Sequence, residues 1–501
     1  MKGNRPNIVL IMSDEHHSRF MGCAGNSIVQ TPALDTLASQ GTRFNNAYCA
    51  YPLCGPSRAA FLTGQYPSQL GIYDGEELSS HVPTFAHSLN MVGYHTALCG
   101  RMGWWWGPDQ FYGFQQRLHG DAIPVDNVLT AELKGSGFNK TSGQTRYAVQ
   151  VSGYGRQGNQ LFDQSVTDTA CTFIQSQFES AEPCCLVVGL MLPHCPLICQ
   201  KEQFDYYMQQ IEPPRPVSKE YLETLHPAMK RWRQCREMDE ISPVQHQRAL
   251  AAYYGLVTEM DSSVGRIVEA VKQSPQADRT VIIYTSDHGD MAGEQGMWWK
   301  SNFYDASSRV PLIISYPEHF PQGQMTDSIV SLIDVGPTML DIAGGQPLPH
   351  VEGRSLQGIV DGGQEPADWP NEIYCEYRGL QLDQPAYMVR SGPWKLNYYH
   401  EFRSCQLFNL EEDPQEMNDL GRDQTYKDVV DRLYGRIEAR WSGDEYLAAA
   451  KGQAQQRRFL LDGAAGGAPH VIPHPVTHFS APPGYNQFDY SQLPEPPNLR
   501  R

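Results

Sequence analysis

Five short apolar runs, at residues 7–12, 95–98, 186–192, 280–285 and 311–315, recur along the 501-residue chain with segments of helical period between them. A run of this length is too short to be a helix buried on all sides, and its lack of polar alternation means that both faces are covered. Strands of that kind separated by helices at about 31–39, 57–63, 84–91, 167–175 and 248–272 predict an α/β domain, a large and mostly parallel sheet flanked by helices.

The pattern changes near residue 370. Closely spaced short strands at 372–377, 386–390 and 395–399, then Gln406 to Leu410 and a helix at about 425–448, predict a small antiparallel C-terminal subdomain. Beyond Leu461 the chain is rich in Pro, Gly and His and has little with which to build a core. The expected division is therefore a large α/β domain over 1–370, the small antiparallel subdomain with its helix over 371–460, and a tail over 461–501 that wraps another surface.

Charge narrows the partners. Lys and Arg number 39 against 56 Asp and Glu, a net −17, which disfavours nucleic acid and anionic membranes. An anionic substrate would need a local cationic pocket. No run approaches the roughly 20 apolar residues of a membrane span, and only Met1 to Pro6 precede the first strand, so the expectation is a cytoplasmic protein without a secretory leader. The twelve cysteines are accordingly expected as free thiols, with Cys184-Cys185 and Cys195/Cys199 structural rather than zinc-binding.

Cys54-Gly55-Pro56-Ser57-Arg58, followed by Ala59-Ala60-Phe61-Leu62-Thr63-Gly64, places a cysteine at the start of a helix. Pro56 fixes the turn, Ser57 can cap, and the helix dipole turns a positive end toward Cys54. Local physics leaves an ordinary buried cysteine as open as a reactive one. Two acidic segments, Ser13-Asp14-Glu15 and Ser286-Asp287-His288-Gly289-Asp290, each follow a predicted strand, where open parallel sheets hold ligands.

The run from Cys54 to Gly64 resembles the signature of the type I, formylglycine-dependent sulfatases of the alkaline-phosphatase-like superfamily. That resemblance implies a sulfuric ester hydrolase in which a formylglycine-generating enzyme converts Cys54 to Cα-formylglycine. One hydroxyl of the hydrated aldehyde attacks sulfur and expels the alcohol, and the other collapses to release sulfate. It also implies a divalent cation that lowers the pKa of the attacking oxygen, held by Asp14, Asp287, His288 and residue 54, with Glu15 left open. Hard oxygen ligands favour Ca2+, with Mg2+ or Mn2+ as alternatives. Arg58, His194 and Lys300 match the family's sulfate partners, His194 can protonate the leaving alcohol, and Arg101, where the family usually has lysine, can still pair with a sulfate oxygen bidentately.

The resemblance extends from about Pro6 to about Trp441. Residues 286–314 and Gly107-Pro108-Asp109-Gln110 look most like the choline-sulfatase branch, which implies that the tail joins copies into a homo-oligomer, and the run Leu407-Phe408-Asn409-Leu410 is similar to the family's small C-terminal subdomain. Choline-O-sulfate, a carbohydrate sulfate and an aryl sulfate are all compatible. Trp104-Trp105-Trp106, Trp298 and Trp299 are candidates for a trimethylammonium cage, with core packing equally open. The chain departs from the family at Gly100-Arg101-Met102-Gly103, where Lys-x-His is usual. Gly103 cannot act as a base, so His16, His17 or water would have to substitute. This departure keeps two further readings open: a phosphonate monoester or phosphodiester hydrolase of the same superfamily, and an inactive sulfate-binding homologue.

Overall fold

The computed structural model describes residues 5–73, 78–103, 111–121, 144–317, 319–362, 365–379 and 382–465. Its eight-stranded sheet contains β1 (Asn7–Asp14), β2 (Thr42–Tyr48), β3 (His95–Gly100), β4 (Gln116–His119), β5 (Cys184–Pro193), β6 (Thr280–Ser286), β7 (Arg309–Ser315) and β8 (Gln324–Ser331). They lie in the order β8-β2-β7-β6-β1-β5-β3-β4. β1, β5 and β6, at the centre, are buried along their whole length. Among the flanking helices are α1 (Cys54–Thr63), α2 (Gly158–Gln177) and α3 (Pro243–Lys272), the last packed on both α2 and β5.

The large, mostly parallel sheet flanked by helices is as expected, with one reversal. β7 pairs antiparallel with both β2 and β6, whereas the other described pairings in the sheet are parallel. Residues 287–308 contain only short helical turns, so the chain leaves the end of β6 and re-enters the sheet beside it without the long crossover that a parallel neighbour needs. β2 and β8 carry too many polar residues on half-exposed faces to read as strands from sequence.

A second sheet is antiparallel in sequence order: β9 (Glu372–Gly379), β10 (Leu382–Ser391), β11 (Trp394–Tyr399) and β12 (Ser404–Asn409). The single helix expected at about 425–448 is two helices, α4 (Lys427–Glu438) and α5 (Gly443–Ala465). Trp441 sits in the break and stacks on Tyr387 of β10 at 5.0 Å between centroids, which anchors the chain where it turns. α5 also carries the chain past Leu461, where the tail was expected to begin; residues beyond 465 lie outside the described part. Among the described residues no helix is long and apolar enough to cross a membrane.

The small sheet is fastened to the large one by buried charge. Asp305, on the turn that precedes β7, accepts hydrogen bonds from Tyr48 Oη at 3.0 and 3.1 Å and from Lys395 Nζ at 2.7 Å. Lys395 also pairs with Glu416 at 2.7 Å, and Glu416 accepts the backbone N–H of Asp305. Burial alone would push the Asp305 carboxyl up, but Lys395 and then Arg309 and Arg390 hold it well below the usual carboxylate range. Glu416 has one such cation, and burial pushes it up to about 7.

Lys395→Met removes the only cation among the described residues that pairs with both acids and leaves the buried Glu416 without its partner. The expected cost is about 3–5 kcal/mol, read as a lowered denaturant midpoint, with loss of the small sheet's aromatic circular-dichroism signal at the lowest denaturant.

Candidate active site

Strand register brings the site together. Ser13 of β1 pairs with Ser286 of β6, so the next residues, Asp14 and Asp287, leave adjacent parallel strands side by side. Asp14 is itself the register partner of Pro193 at the end of β5, which puts His194 beside Glu15. Gly100 pairs with Gly189, and the N–H of Arg101 bonds the Gly189 carbonyl at 2.9 Å. A Cβ on Gly189 would lie 1.8 Å from the Arg101 carbonyl oxygen, so only glycine lets these backbones meet.

α1 brings Cys54 to these strand ends. The helix begins at Cys54 itself, three residues earlier than expected, and Ser57 does not cap it: the Ser57 hydroxyl donates to the Asp287 carbonyl at 2.6 Å, tying helix to strand end. Cys54 Sγ stands 3.2 Å from His288 Nε2 and 3.6 Å from Asp14 Oδ1, and is 9% exposed. One turn on, the fully buried Arg58 donates to Asp287 Oδ2 at 2.8 Å, to Asp14 Oδ2 at 3.3 Å and to the Arg101 carbonyl at 2.8 Å. Arg101 in turn bonds Asp14 Oδ2 through Nε.

These charges set the protonation of the group. Burial would raise Asp14, but Arg101, His194, Arg58 and Lys300 together hold it well below its ordinary range. Burial likewise opposes the imidazolium of His288, yet the Asp287 carboxylate outweighs it and lifts the ring to about 10. Asp14, Cys54, Asp287 and His288 offer ligand atoms within 4.8 Å of one another, all buried. Two carboxylates, an imidazole and residue 54 form a buried, convergent donor set that a divalent cation fits.

Glu15 turns away from that group. Its backbone is left-handed, at φ 68°. Its carboxylate meets Lys300 Nζ at 2.8 Å, His194 Nε2 at 3.3 Å and Gln144 Nε2 at 3.4 Å. Burial pushes Glu15 up and His194 down, and Lys300 beside them adds to the lowering of His194. Lys300 is raised despite its burial, by Cys54, Glu15 and Asp14. Arg58, Arg101 and Lys300 thus bring positive charge to Cys54 and Asp14, with the His194 imidazole beside them, the local environment that an acidic chain requires for an anion.

Other expectations meet a different environment. The His16 ring is bonded to Tyr284 Oη at 2.7 Å and to the Phe20 carbonyl, and His17 to Glu294 at 2.9 Å. Burial lowers both, His16 to about 4, and both rings are committed to structural partners rather than to Cys54. Trp298 and Trp299 are fully buried, and Trp298 Nε1 donates to His246 Nδ1 at 2.8 Å; they pack in the core and offer no open face for a cage. Trp104 to Asp109 lie outside the described residues. A Cβ at Gly103, where φ is +90°, would come 3.2 Å from Arg58 Cδ, so the buried arginine crowds any side chain there.

Sequence reasoning missed Gln144, which Arg236 holds by its carbonyl at 3.0 Å and its Oε1 at 3.2 Å and which lies in no recognisable pattern; Cys195, read as structural, stands 3.5 Å from His194 Nδ1. It also missed Asp163, although an acid between Phe162 and Val166 on the apolar side of α2 was a visible signal.

Comparison with known proteins follows the same outline. A family profile described as Sulfatase matches residues 6–345, and one described as N-sulphoglucosamine sulphohydrolase, C-terminal, matches residues 293–442. The choline-sulfatase of Rhizobium meliloti is 31% identical over 480 residues, covering 92% of this chain and 91% of its own. Among solved structures, one described as a complex with its substrate D-glucosamine-2-N,6-O-disulfate superposes with a TM-score of 0.70 at 22% identity, covering 90% of this chain and 99% of its own. A phosphonate monoester hydrolase from Silicibacter pomeroyi superposes at 0.72 and 23%, covering 87% and 95%.

Asp163 gives the site a pH dependence. Its carboxylate accepts the N–H groups of Met191 and Leu192 at 2.6 and 2.9 Å and so pins the end of β5 that carries His194. Burial nevertheless pushes it up to about 7. The folded chain therefore keeps a proton that the unfolded chain gives up near pH 4, and this residue's contribution to stability falls as pH rises from about 4 to about 7. Asp163→Asn should flatten the slope of unfolding free energy against pH across that window, by up to about 1.4 kcal/mol per pH unit, as read from denaturant midpoints at stepped pH.

Proposed function

This chain belongs to the sulfatase family and is a sulfuric ester hydrolase, and from that premise we propose that it cleaves the sulfate monoester of a small alcohol or sugar through formylglycine at position 54 and a divalent cation. The carrying observation is the placement of Cys54 Sγ between Asp14 and His288, with Arg58, Arg101, Lys300 and His194 around it. Residue 54, once oxidised, supplies a nucleophile, and the cation supplies the charge that makes its hydroxyl acidic at neutral pH. Asp14, Asp287 and His288 hold that cation, and the donor set favours Ca2+ over softer metals.

The remaining work belongs to the chain's own side chains. Lys300 and Arg101 orient the sulfate oxygens and neutralise the charge that builds on them as the ester bond breaks. Arg58 fixes Asp14 and Asp287 and keeps their negative charge from repelling the incoming anion. His194, its side chain 20% exposed, is the group proposed to protonate the departing alcohol; burial and then Lys300 hold its ring below the ordinary imidazole range, so this role favours acidic over neutral pH on alkyl sulfates. Similarity to the Rhizobium meliloti enzyme makes choline-O-sulfate the first substrate to try, with sugar and aryl sulfates beside it.

One observation favours a second reading: Arg101 and Gly103 replace Lys-x-His, and the fold is shared with a phosphonate monoester hydrolase. An aryl phosphodiester assayed beside aryl sulfate decides between them by the larger kcat/KM.

Co-production with a formylglycine-generating enzyme should yield a tryptic peptide whose mass shows aldehyde or hydrate at position 54; unmodified thiol despite active maturation would leave an inactive sulfate-binding homologue. Cys54→Ala should lower kcat/KM on aryl sulfate at least about 10,000-fold, and chelation should remove activity that Ca2+ restores. His194→Ala should cost about 100-fold on an alkyl sulfate and much less on nitrophenyl sulfate, whose leaving group needs no proton.

A further inference from the structure

Arg101 stands just past the end of β3, in a stretch with no strand or helix to hold it. Its guanidinium bonds Asp14 and faces the pocket, so its position depends on what fixes residues 100–103. Two side chains that no comparison singles out do this. Arg117, in β4, donates through Nη2 to the Gly100 carbonyl at 2.8 Å and through Nε to the His119 carbonyl at 3.1 Å. Asp121, two residues past β4, accepts the backbone N–H groups of both Met102 and Gly103 on one oxygen, Oδ2, each at 2.8 Å. The same oxygen lies 3.6 Å from Arg117 Nη2, with the two side chains 8% and 9% exposed.

The residue between those contacts is gripped from three sides. Arg117 holds the carbonyl before Arg101, Asp121 holds the two amides after it, and the carbonyl of Arg101 itself accepts from Arg58 at 2.8 Å. Successive amides converging on one carboxylate oxygen fix a turn that the positive φ of Gly103 would otherwise leave loose. Asp121 also adds negative charge within reach of the Arg101 guanidinium.

We propose that Arg117 and Asp121 are a positioning pair, which hold Arg101 at the angle where it meets Asp14 and a sulfate oxygen together and thereby set the enzyme's affinity for the sulfate group. In this reading the pair acts on the sulfate group through Arg101. The inference rests on the reading of Arg101 as a sulfate partner.

The test is a double-mutant cycle on the full-length, metal-loaded protein, with inorganic sulfate binding by calorimetry and nitrophenyl sulfate kinetics as separate readouts. Asp121→Ala should weaken sulfate binding and raise KM roughly tenfold, with a smaller change in kcat. Asp121→Asn keeps an acceptor oxygen for the two amides and should fall between, and it carries the test if the alanine variant does not fold. In an Arg101→Ala background the same Asp121 substitutions should change sulfate affinity less than about twofold, because the group they act through is gone. Equal weakening in both backgrounds, or unchanged affinity in the wild-type background, overturns the pair's role. If no sulfate ester is turned over, the hydrolase reading fails while calorimetry still decides the pair; if the wild-type protein binds no sulfate, both fall.

Discussion

Two carboxylates, Asp14 and Asp287, emerge side by side from adjacent parallel strands, and their repulsion has to be answered inside a protein interior before the site can exist. The answer comes from α1. Arg58 reaches both acids at once and also takes the Arg101 carbonyl, so one buried guanidinium fastens helix, two central strands and the neighbouring loop. Its planar fork suits this in a way that a lysine's point charge would not. Cys54 then has no independent freedom: it sits one turn earlier on the helix that Arg58 anchors, and the Ser57 hydroxyl locks the same turn onto the Asp287 carbonyl.

Around that centre the charges fall into two groups. One, with Asp14, Asp287 and His288, is electron-rich and suited to a cation. The other, with Lys300, His194 and Arg101, faces an anion. Glu15 marks the border: its left-handed backbone carries its carboxylate out of the first group and into contact with Lys300 and His194. A residue that holds a costly conformation at such a junction is the kind of strain that functional sites keep.

Much of this was legible in the sequence, for reasons that differ by residue. The central strands are continuous apolar runs, and the acids that follow them are displayed at strand ends by topology alone, so Asp14, Asp287 and His194 could be placed from pattern. Cys54 and Arg58 came from a compact local signature. What could not be read depended on distant packing. The reversal of β7 follows from a connection, residues 287–308, that is long in sequence but contains only short helical turns and so makes no crossover. Gln144 acts on the side chain of Glu15, and Arg236 and Asp121 act through backbone atoms of other segments, and no periodicity announces them. The tryptophans at 298 and 299 were ambiguous because a cage and a core use the same side chain, and only burial separates them.

The buried network at Asp305 has a consequence for the order in which the molecule can be made. Its acid belongs to the turn before β7, but the lysine that compensates it lies ninety residues later, in β11, and Glu416, which caps the Asp305 amide, later still. A nascent chain that has just completed the large sheet can answer Asp305 only through Arg309, at 3.6 Å, and still lacks the lysine that hydrogen-bonds it directly. The large sheet therefore gains its closest compensation for that buried acid only when the small sheet docks, so the two sheets, though distinct in architecture, support each other's stability.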